Sequence, residues 1–161
     1  MNARLVCILI GATLLTDQLT KAAALSLLSP DEAVEVFPGL NLMLAFNEGA
    51  SFGMFSDVMA GKPLLMAMLT GTLTLILALM SFRARHRFER AGFALIVGGA
   101  LGNVIDRLRQ GAVTDFLDLA WQDWRFPTFN GADIAITLGA LCILFASFAS
   151  HRREESGVGQ S

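Results

Sequence analysis

The chain has 161 residues, 54% hydrophobic and 16% charged. Soluble domains carry about 25% charge, so an ordinary soluble domain is excluded and one integral membrane domain is expected. The net charge of −2 is too small to suggest a nucleic-acid partner.

A bilayer core needs about 20 apolar helical residues. The first span, residues 5–28, is long enough but is interrupted by Asp17, Gln18 and Lys21. Arg4, the apolar run 5–15 and three alanines (22–24) also fit a cleaved leader. An acid and a base spaced for one helix face argue instead for a retained span. Asp17 precedes Lys21 by four residues, the favoured order for such a pair. Mutual neutralisation accounts for them. A functional alternative is that Lys21 fixes charge or a ligand head group nearby.

Between Ser29 and Gly61 there is no Lys or Arg, while Asp31, Glu32, Glu35, Glu48 and Asp57 are present. VEVFPGLNLMLAF alternates partly, with Val34 and Val36, then Leu40, Leu42 and Leu44, on one side of a Pro38-Gly39 turn. Short strands are expected there, with FGMF (52–55) as another strand or an interfacial foot. The second span, 63–82, has no charge. The loop RARHRFER (83–90) has four Arg. The third span, 91–108, carries Gly98, Gly99, Ala100 and Gly102, a small-residue surface for close helix approach. It ends in Asn103, Asp106 and Arg107. The always-charged fork of Arg107 suits a carboxylate or a phosphate. Asp106 reads as a solvated helix-end acid. Asp115 and Asn130 follow in segment 109–130. The fourth span, 131–150, holds Asp133 as its one charge.

This gives one domain, residues 1–153, mainly α: four transmembrane helices with a small β-containing extracytoplasmic region between helices 1 and 2. Residues 154–161 read as a disordered cytoplasmic tail. Arg4, the Arg of 83–90, Arg152 and Arg153 mark the cytoplasmic side, so both termini lie inside and segments 29–62 and 109–130 outside.

The intramembrane polar residues converge at one depth, near the outer interface. Asp17 and Lys21 come from span one, Asn103 and Arg107 from span three, Asn130 and Asp133 from span four, with Asp115 beside them. The two histidines, His86 and His151, fall on the opposite side, which excludes an outer-face Ser-His-Asp triad. No H-E-x-x-H motif is present. Cys7 and Cys142 lack metal-ligand spacing and read as buried packing residues. What remains on the outer side is carboxylates, plus Ser51 and Lys21, and two acids stand out, Asp115 in VTDFLDL and Asp133 in FNGADIAI. A close carboxylate pair keeps one proton near neutral pH, which suits hydrolysis by an activated water. Phe116 and Phe129 flank the acids and pack at the interface or exclude water. Two rivals stand beside this reading. One is a Ser51–Lys21 peptidase with a desolvated lysine as base. The other is a small ion- or proton-conducting membrane protein, against which the uncharged second span and the apolar inner halves argue.

The stretches DQLTK (17–21), NEGASFGMF (47–55), GGALGNVIDR (98–107), VTDF (113–116) and FNGADIAI (129–136) together resemble lipoprotein signal peptidase (signal peptidase II), in that family's order and spacing. The resemblance runs from about residue 5 to 150. It implies a four-helix aspartyl endopeptidase of the bacterial cytoplasmic (inner) membrane. Such an enzyme removes the signal peptide of diacylglyceryl-modified prolipoproteins just before the lipidated cysteine. By motif, Asp115 and Asp133 match the catalytic dyad. Asp17, Lys21, Asn47, Gly49, Asn103, Arg107, Asn130 and Ala132 match positions that bind substrate or support the dyad. Ser51 falls where the family commonly has Ala, and Thr114 and Glu48 occupy variable positions. The resemblance implies no metal or organic cofactor. The expected partners are the prolipoprotein and membrane lipids, and the expected state is a monomer.

Overall fold

The computed structural model describes residues 1–30, 32–49, 61–84 and 86–158, with side chains through 149. Among the described residues there are four helices: α1 (Ala3–Leu27), α2 (Pro63–Arg83), α3 (Arg87–Gln110) and α4 (Gly131–Val158). Each is long and apolar enough to cross a membrane, α4 through its stretch Gly131–Ala149. Local chemistry sets their ends. Asn2 Oδ1 accepts the Leu5 N–H at 3.0 Å, capping α1. Pro63 opens α2, where its missing N–H is harmless. Gly111 takes the left-handed conformation (φ 83°) and returns its N–H to Arg107 O, stopping α3.

Helix α3 is the centre of the bundle. Of its apolar window 56% is buried, against 17, 22 and 28% for α1, α2 and α4. Its glycines make this possible. A Cβ at Gly92 would sit 2.6 Å from Gly139 O, and one at Gly99 2.6 Å from Ala132 O, both on α4. A Cβ at Gly98 would sit 2.8 Å from Ile10 O on α1. The small-residue surface therefore brings backbones together, as the sequence suggested.

Polarity is inverted relative to a soluble bundle. Large apolar side chains such as Ile8, Leu15, Leu73, Leu75, Phe145 and Phe148 face outward, while Asp17, Lys21, Asn103, Asp115 and Asp133 are buried. The hydroxyls of Thr70, Thr74 and Ser81 return to carbonyls of their own helix at 2.7 Å, so α2 presents no free polar group there. Cys7 is exposed and Cys142 half-exposed on this outer surface. The expectation of buried cysteines fails because an apolar run in a membrane helix says nothing about which residues face lipid.

Arg90 Nε donates to Ala84 O at 2.6 Å and its guanidinium also donates to Met1 O, so the start of α1 and the α2–α3 turn share one end. From that end, α1 rises about 21 Å to Asp17 and α3 about 24 Å to Asn103. Those polar residues therefore lie at one level on two helices running the same way.

Four antiparallel strands form a sheet in the order β1-β2-β3-β4: β1 (Ala33–Phe37), β2 (Leu40–Asn47), β3 (Val113–Trp121) and β4 (Trp124–Arg125). The β region is larger than the sequence suggested, since β3 and β4 follow α3. The start of β3 is buried on both faces, from Val113 through Phe116, so it shows no alternation to read. Strand β1 is exposed throughout, and its Val34/Val36 alternation marks no buried face. FGMF (52–55) lies outside the described residues. Helix α4 runs on to Val158, into the segment expected as a tail. Residues 152–155 are good helix formers, and the first glycine is Gly157.

Candidate active site

Strand β3 delivers Asp115 to the level of the polar helix residues. A register irregularity in β2 between Leu42 and Ala45 sets Ala45 opposite Asp115 and Asn47 opposite Val113. The segment before α4 is pinned to the same strand. Phe116 and Leu117 both donate their N–H groups to Phe129 O, at 3.0 and 2.9 Å, and Phe129 returns its N–H to Leu117 O. Asn130 is thereby held beside Asp115.

Asp115 is 1% exposed. Its Oδ1 accepts from Asn130 Nδ2 at 2.6 Å, and its Oδ2 from Asn47 Nδ2 at 3.2 Å. Asp133 sits in the first turn of α4 as half of a capping box. The Asn130 N–H donates to Asp133 Oδ2 at 3.3 Å, and the Asp133 N–H donates to Asn130 Oδ1 at 3.1 Å. Asp133 Oδ1 accepts from Asn103 Nδ2 at 3.5 Å. Asn130 thus touches both acids. Burial pushes the Asp115 carboxyl up from 3.8 to about 7, with the negative charge of Asp133 adding to it. The Asn130 and Asn47 amides and the charge of Lys21 pull it the other way.

Lys21 is the hub behind the acids. Its Nζ lies 2.9 Å from Asp17 Oδ2 and 3.0 Å from Asp106 Oδ2, and donates to Asn103 Oδ1 at 2.7 Å. All three ammonium protons are therefore spent. Asp17 Oδ1 accepts the Ala132 N–H at 2.9 Å, so α1 caps α4 from outside. Gly102 makes room for this: a Cβ there would fall 2.1 Å from Asp17 Oδ2. Asn47 Oδ1 accepts the Gly49 N–H at 2.9 Å. Arg107 donates to Gly49 O and, at 3.3 Å, to Asn103 O, while its Nε is buried with no hydrogen-bond partner among the described residues. It therefore docks the backbone after β2 rather than gripping a carboxylate.

The structure brings every residue singled out by motif into this one hydrogen-bonded network. Ser51 lies outside the described residues. His86 stands at the start of α3, about 25 Å along the helix from Asn103. Three network members were missed. Asp106, read as a solvated acid, is 6% exposed and ion-paired. Gln18 Nε2 donates to Asp17 Oδ2, Gly102 O and Asp106 Oδ1, at 3.3, 3.3 and 3.1 Å. Thr114, taken as variable, is fully buried. The three-residue step from Asn103 to Asp106 was the available signal, since it keeps both on one helix face.

A cavity of about 260 Å³ reaches Asp133, lined also by Phe126, Phe129, Ile134, Thr137 and Leu138. Leu138 also lines a second, apolar groove of about 480 Å³ running along α4 past Leu141, Phe145 and Phe148. Asp133 thus opens onto an apolar recess, and the second buried acid, Asp115, whose pKa is raised, is joined to it through Asn130. This is an arrangement for acid–base chemistry on a hydrophobic substrate.

Residues 9–149 match the family model described as Signal peptidase (SPase) II. The chain is 42% identical over 121 residues to the "Lipoprotein signal peptidase" of Yersinia pseudotuberculosis serotype O:1b (strain IP 31758), covering 74% of this chain and 72% of that protein. It is equally similar to the protein of the same name from Yersinia pestis (strain Pestoides F), with the same coverage. Among solved structures, "Bacterial membrane enzyme structure by the in meso method at 2.3 A resolution" superposes with a TM-score of 0.81 at 28% identity, covering 92% of this chain and 90% of that one. A second, described in the same words at 1.9 Å, gives 0.77 at 28% identity, covering 89% and 92%. With four spans, a shared fold and a family match over most of its length, this multi-pass membrane protein belongs to the signal peptidase II family of lipoprotein signal peptidases.

Proposed function

We propose that the chain is a membrane-embedded aspartyl endopeptidase that cleaves diacylglyceryl-modified prolipoproteins just before the lipidated cysteine, with Asp115 and Asp133 as the catalytic pair. The observation that carries this reading is the bridge through Asn130, which donates to both acids, one of which, Asp133, lines an apolar cavity. Asp115 holds the shared proton at rest. Asp133 takes a proton from water as the oxygen attacks the scissile carbonyl carbon, and Asp115 gives its proton to the carbonyl oxygen. The tetrahedral diol then collapses. The C–N bond breaks, the leaving nitrogen takes the proton held by Asp133, and a hydroxyl proton returns to Asp115. Water is consumed, one acid and one amine are formed, and the pair regains its starting charge. No covalent intermediate and no cofactor enters the cycle.

In this reading the site lies at the outer face of the bacterial inner membrane, both termini are cytoplasmic, and the enzyme is a monomer. Acyl chains stay in the hydrocarbon while the peptide bond meets water at the pair. The Ser–Lys reading is disfavoured, since the Lys21 ammonium is fully engaged by two carboxylates and an amide oxygen. Ion conduction is disfavoured by the self-satisfied hydroxyls of α2.

The test is cleavage of a diacylglyceryl-modified prolipoprotein by purified wild type, Asp115→Asn, Asp133→Asn and Ser51→Ala in lipid. Each Asn variant should lose roughly a hundred- to ten-thousand-fold in kcat, and Ser51→Ala should retain activity. Normal turnover by a folded Asp133→Asn protein would overturn the proposal.

A further inference from the structure

Asp106 is a buried carboxylate to which the reaction above gives no role. Its Oδ2 lies 3.0 Å from Lys21 Nζ and also accepts the backbone N–H of Thr114 at 3.0 Å. Its Oδ1 accepts from Gln18 Nε2 at 3.1 Å. Thr114 directly precedes Asp115, and its hydroxyl accepts from Gln110 Nε2 at 2.6 Å. The strand at Asp115 is therefore tied to α3 from the side away from Asn130.

The same carboxylate acts on the other acid through Lys21. The ammonium held by Asp106 donates to Asn103 Oδ1 at 2.7 Å. That oxygen must then be the acceptor of the Asn103 amide, which leaves Nδ2 facing Asp133 Oδ1. One turn of α3, from Asn103 to Arg107, thus holds β3 by the amide of residue 114 and α4 by the Asn103 side chain.

We propose that Asp106 is a positioning residue that sets the separation of Asp115 and Asp133, acting through the Thr114 amide on one side and through Lys21 and Asn103 on the other. This deepens the aspartyl reading and rests on it. An anion is needed because two donors, one an ammonium, converge on a single buried oxygen. Among the described residues the charged groups around Asp115 are Asp133 from α4, Lys21 and Asp17 from α1, and Asp106 and Arg107 from α3, while β2 contributes the neutral Asn47.

Asp106→Asn keeps the shape and removes the charge. Its oxygen can still face Lys21 and Thr114, but its amide nitrogen then meets the donor nitrogen of Gln18. The strand loosens, the acids move apart and repel less, and Lys21 is less neutralised. Both effects lower the pKa of Asp115. The expected result is a kcat about 10- to 100-fold lower with KM little changed, the penalty for misplacing reacting groups by about an ångström. The alkaline limb of kcat/KM should move to lower pH by about half a unit or more. Asp106→Glu keeps the ion pair, and hence the fold, but reaches Thr114 from a different depth. It should show the same loss of kcat if the Asn variant fails to fold. Asp118→Asn is the control. Asp118 is also fully buried on β3 but is held by Asn41 and Arg125, and its substitution should leave the limb in place. If Asp115→Asn and Asp133→Asn are dead while both Asp106 variants keep the wild-type kcat and limb, the positioning role is wrong and the catalytic pair stands. If Asp115→Asn and Asp133→Asn turn over normally, the catalytic reading falls, and this inference with it.

Discussion

Asn130 and Asp133 cap one another across the first turn of α4, with bonds of 3.3 and 3.1 Å running in opposite directions between side chain and backbone. The Asn130 amide nitrogen remains free of this box and donates to Asp115 at 2.6 Å. A single residue thus serves helix stability with one atom and the second acid with another, and substitution separates the two duties.

Asn130→Ser keeps an oxygen that accepts the Asp133 N–H but loses the donor to Asp115. Asn130→Ala loses both. The alanine variant should be destabilised by about 1 kcal/mol, the usual worth of such a cap, and the serine variant by much less. Activity should fall in both by a similar factor, about 10- to 100-fold. Thermal melts read the first effect and prolipoprotein cleavage the second. Wild-type turnover in Asn130→Ser would show that the amide contact to Asp115 does not matter.

The pH response follows from Asp115. Its carboxyl, raised to about 7, must be protonated to serve as the acid, so kcat/KM should fall about tenfold per unit above that value. Folding stability carries the same sign. Between the ordinary aspartate value of 3.8 and about 7, the folded chain binds more protons at this site than the unfolded chain. Stability therefore falls as pH rises through that window and levels off above it. Asp115→Asn removes this contribution. Melting temperatures from pH 5 to 8 should slope downward in wild type and less so in the variant. Parallel slopes, or a kcat/KM that is flat to pH 9, would contradict the assignment.

Much of this was legible in the residues themselves. Spans show as long apolar runs, because a bilayer admits little else at that length. The acid–base spacing of Asp17 and Lys21 correctly placed them on one face. Charge burial was not legible at Asp106. A carboxylate beside Arg107 near a helix end looks solvated until the hairpin of β3 folds over it, and that contact joins residues eight apart through a backbone amide. Strand β3 was hidden for a related reason. Its first residues are buried on both faces, so the period of two never appears. Nothing in VTDFLDL distinguishes the buried Asp118, partnered by Arg125, from the buried Asp115.

The network behind the pair is held by one cation between two anions, and its coupling can be measured. Lys21→Met would leave Asp17 and Asp106 as buried carboxylates without their counter-ion. Breaking a buried pair in this way costs about 3–5 kcal/mol. Asp17→Asn would leave the Ala132 N–H and Lys21 with a neutral acceptor and should cost less. If the two residues act as one unit, the double variant should be less destabilised than the sum of the singles, because Lys21→Met no longer strands a charge at position 17. Contacting pairs in such networks show interaction energies of about 0.5–3 kcal/mol. Additivity to within about 0.5 kcal/mol would mean that Asp17 is stabilised mainly by the Ala132 N–H and the Gln18 amide. In that case the role of Lys21 would reduce to its contacts with Asp106 and Asn103, the route by which it reaches Asp133.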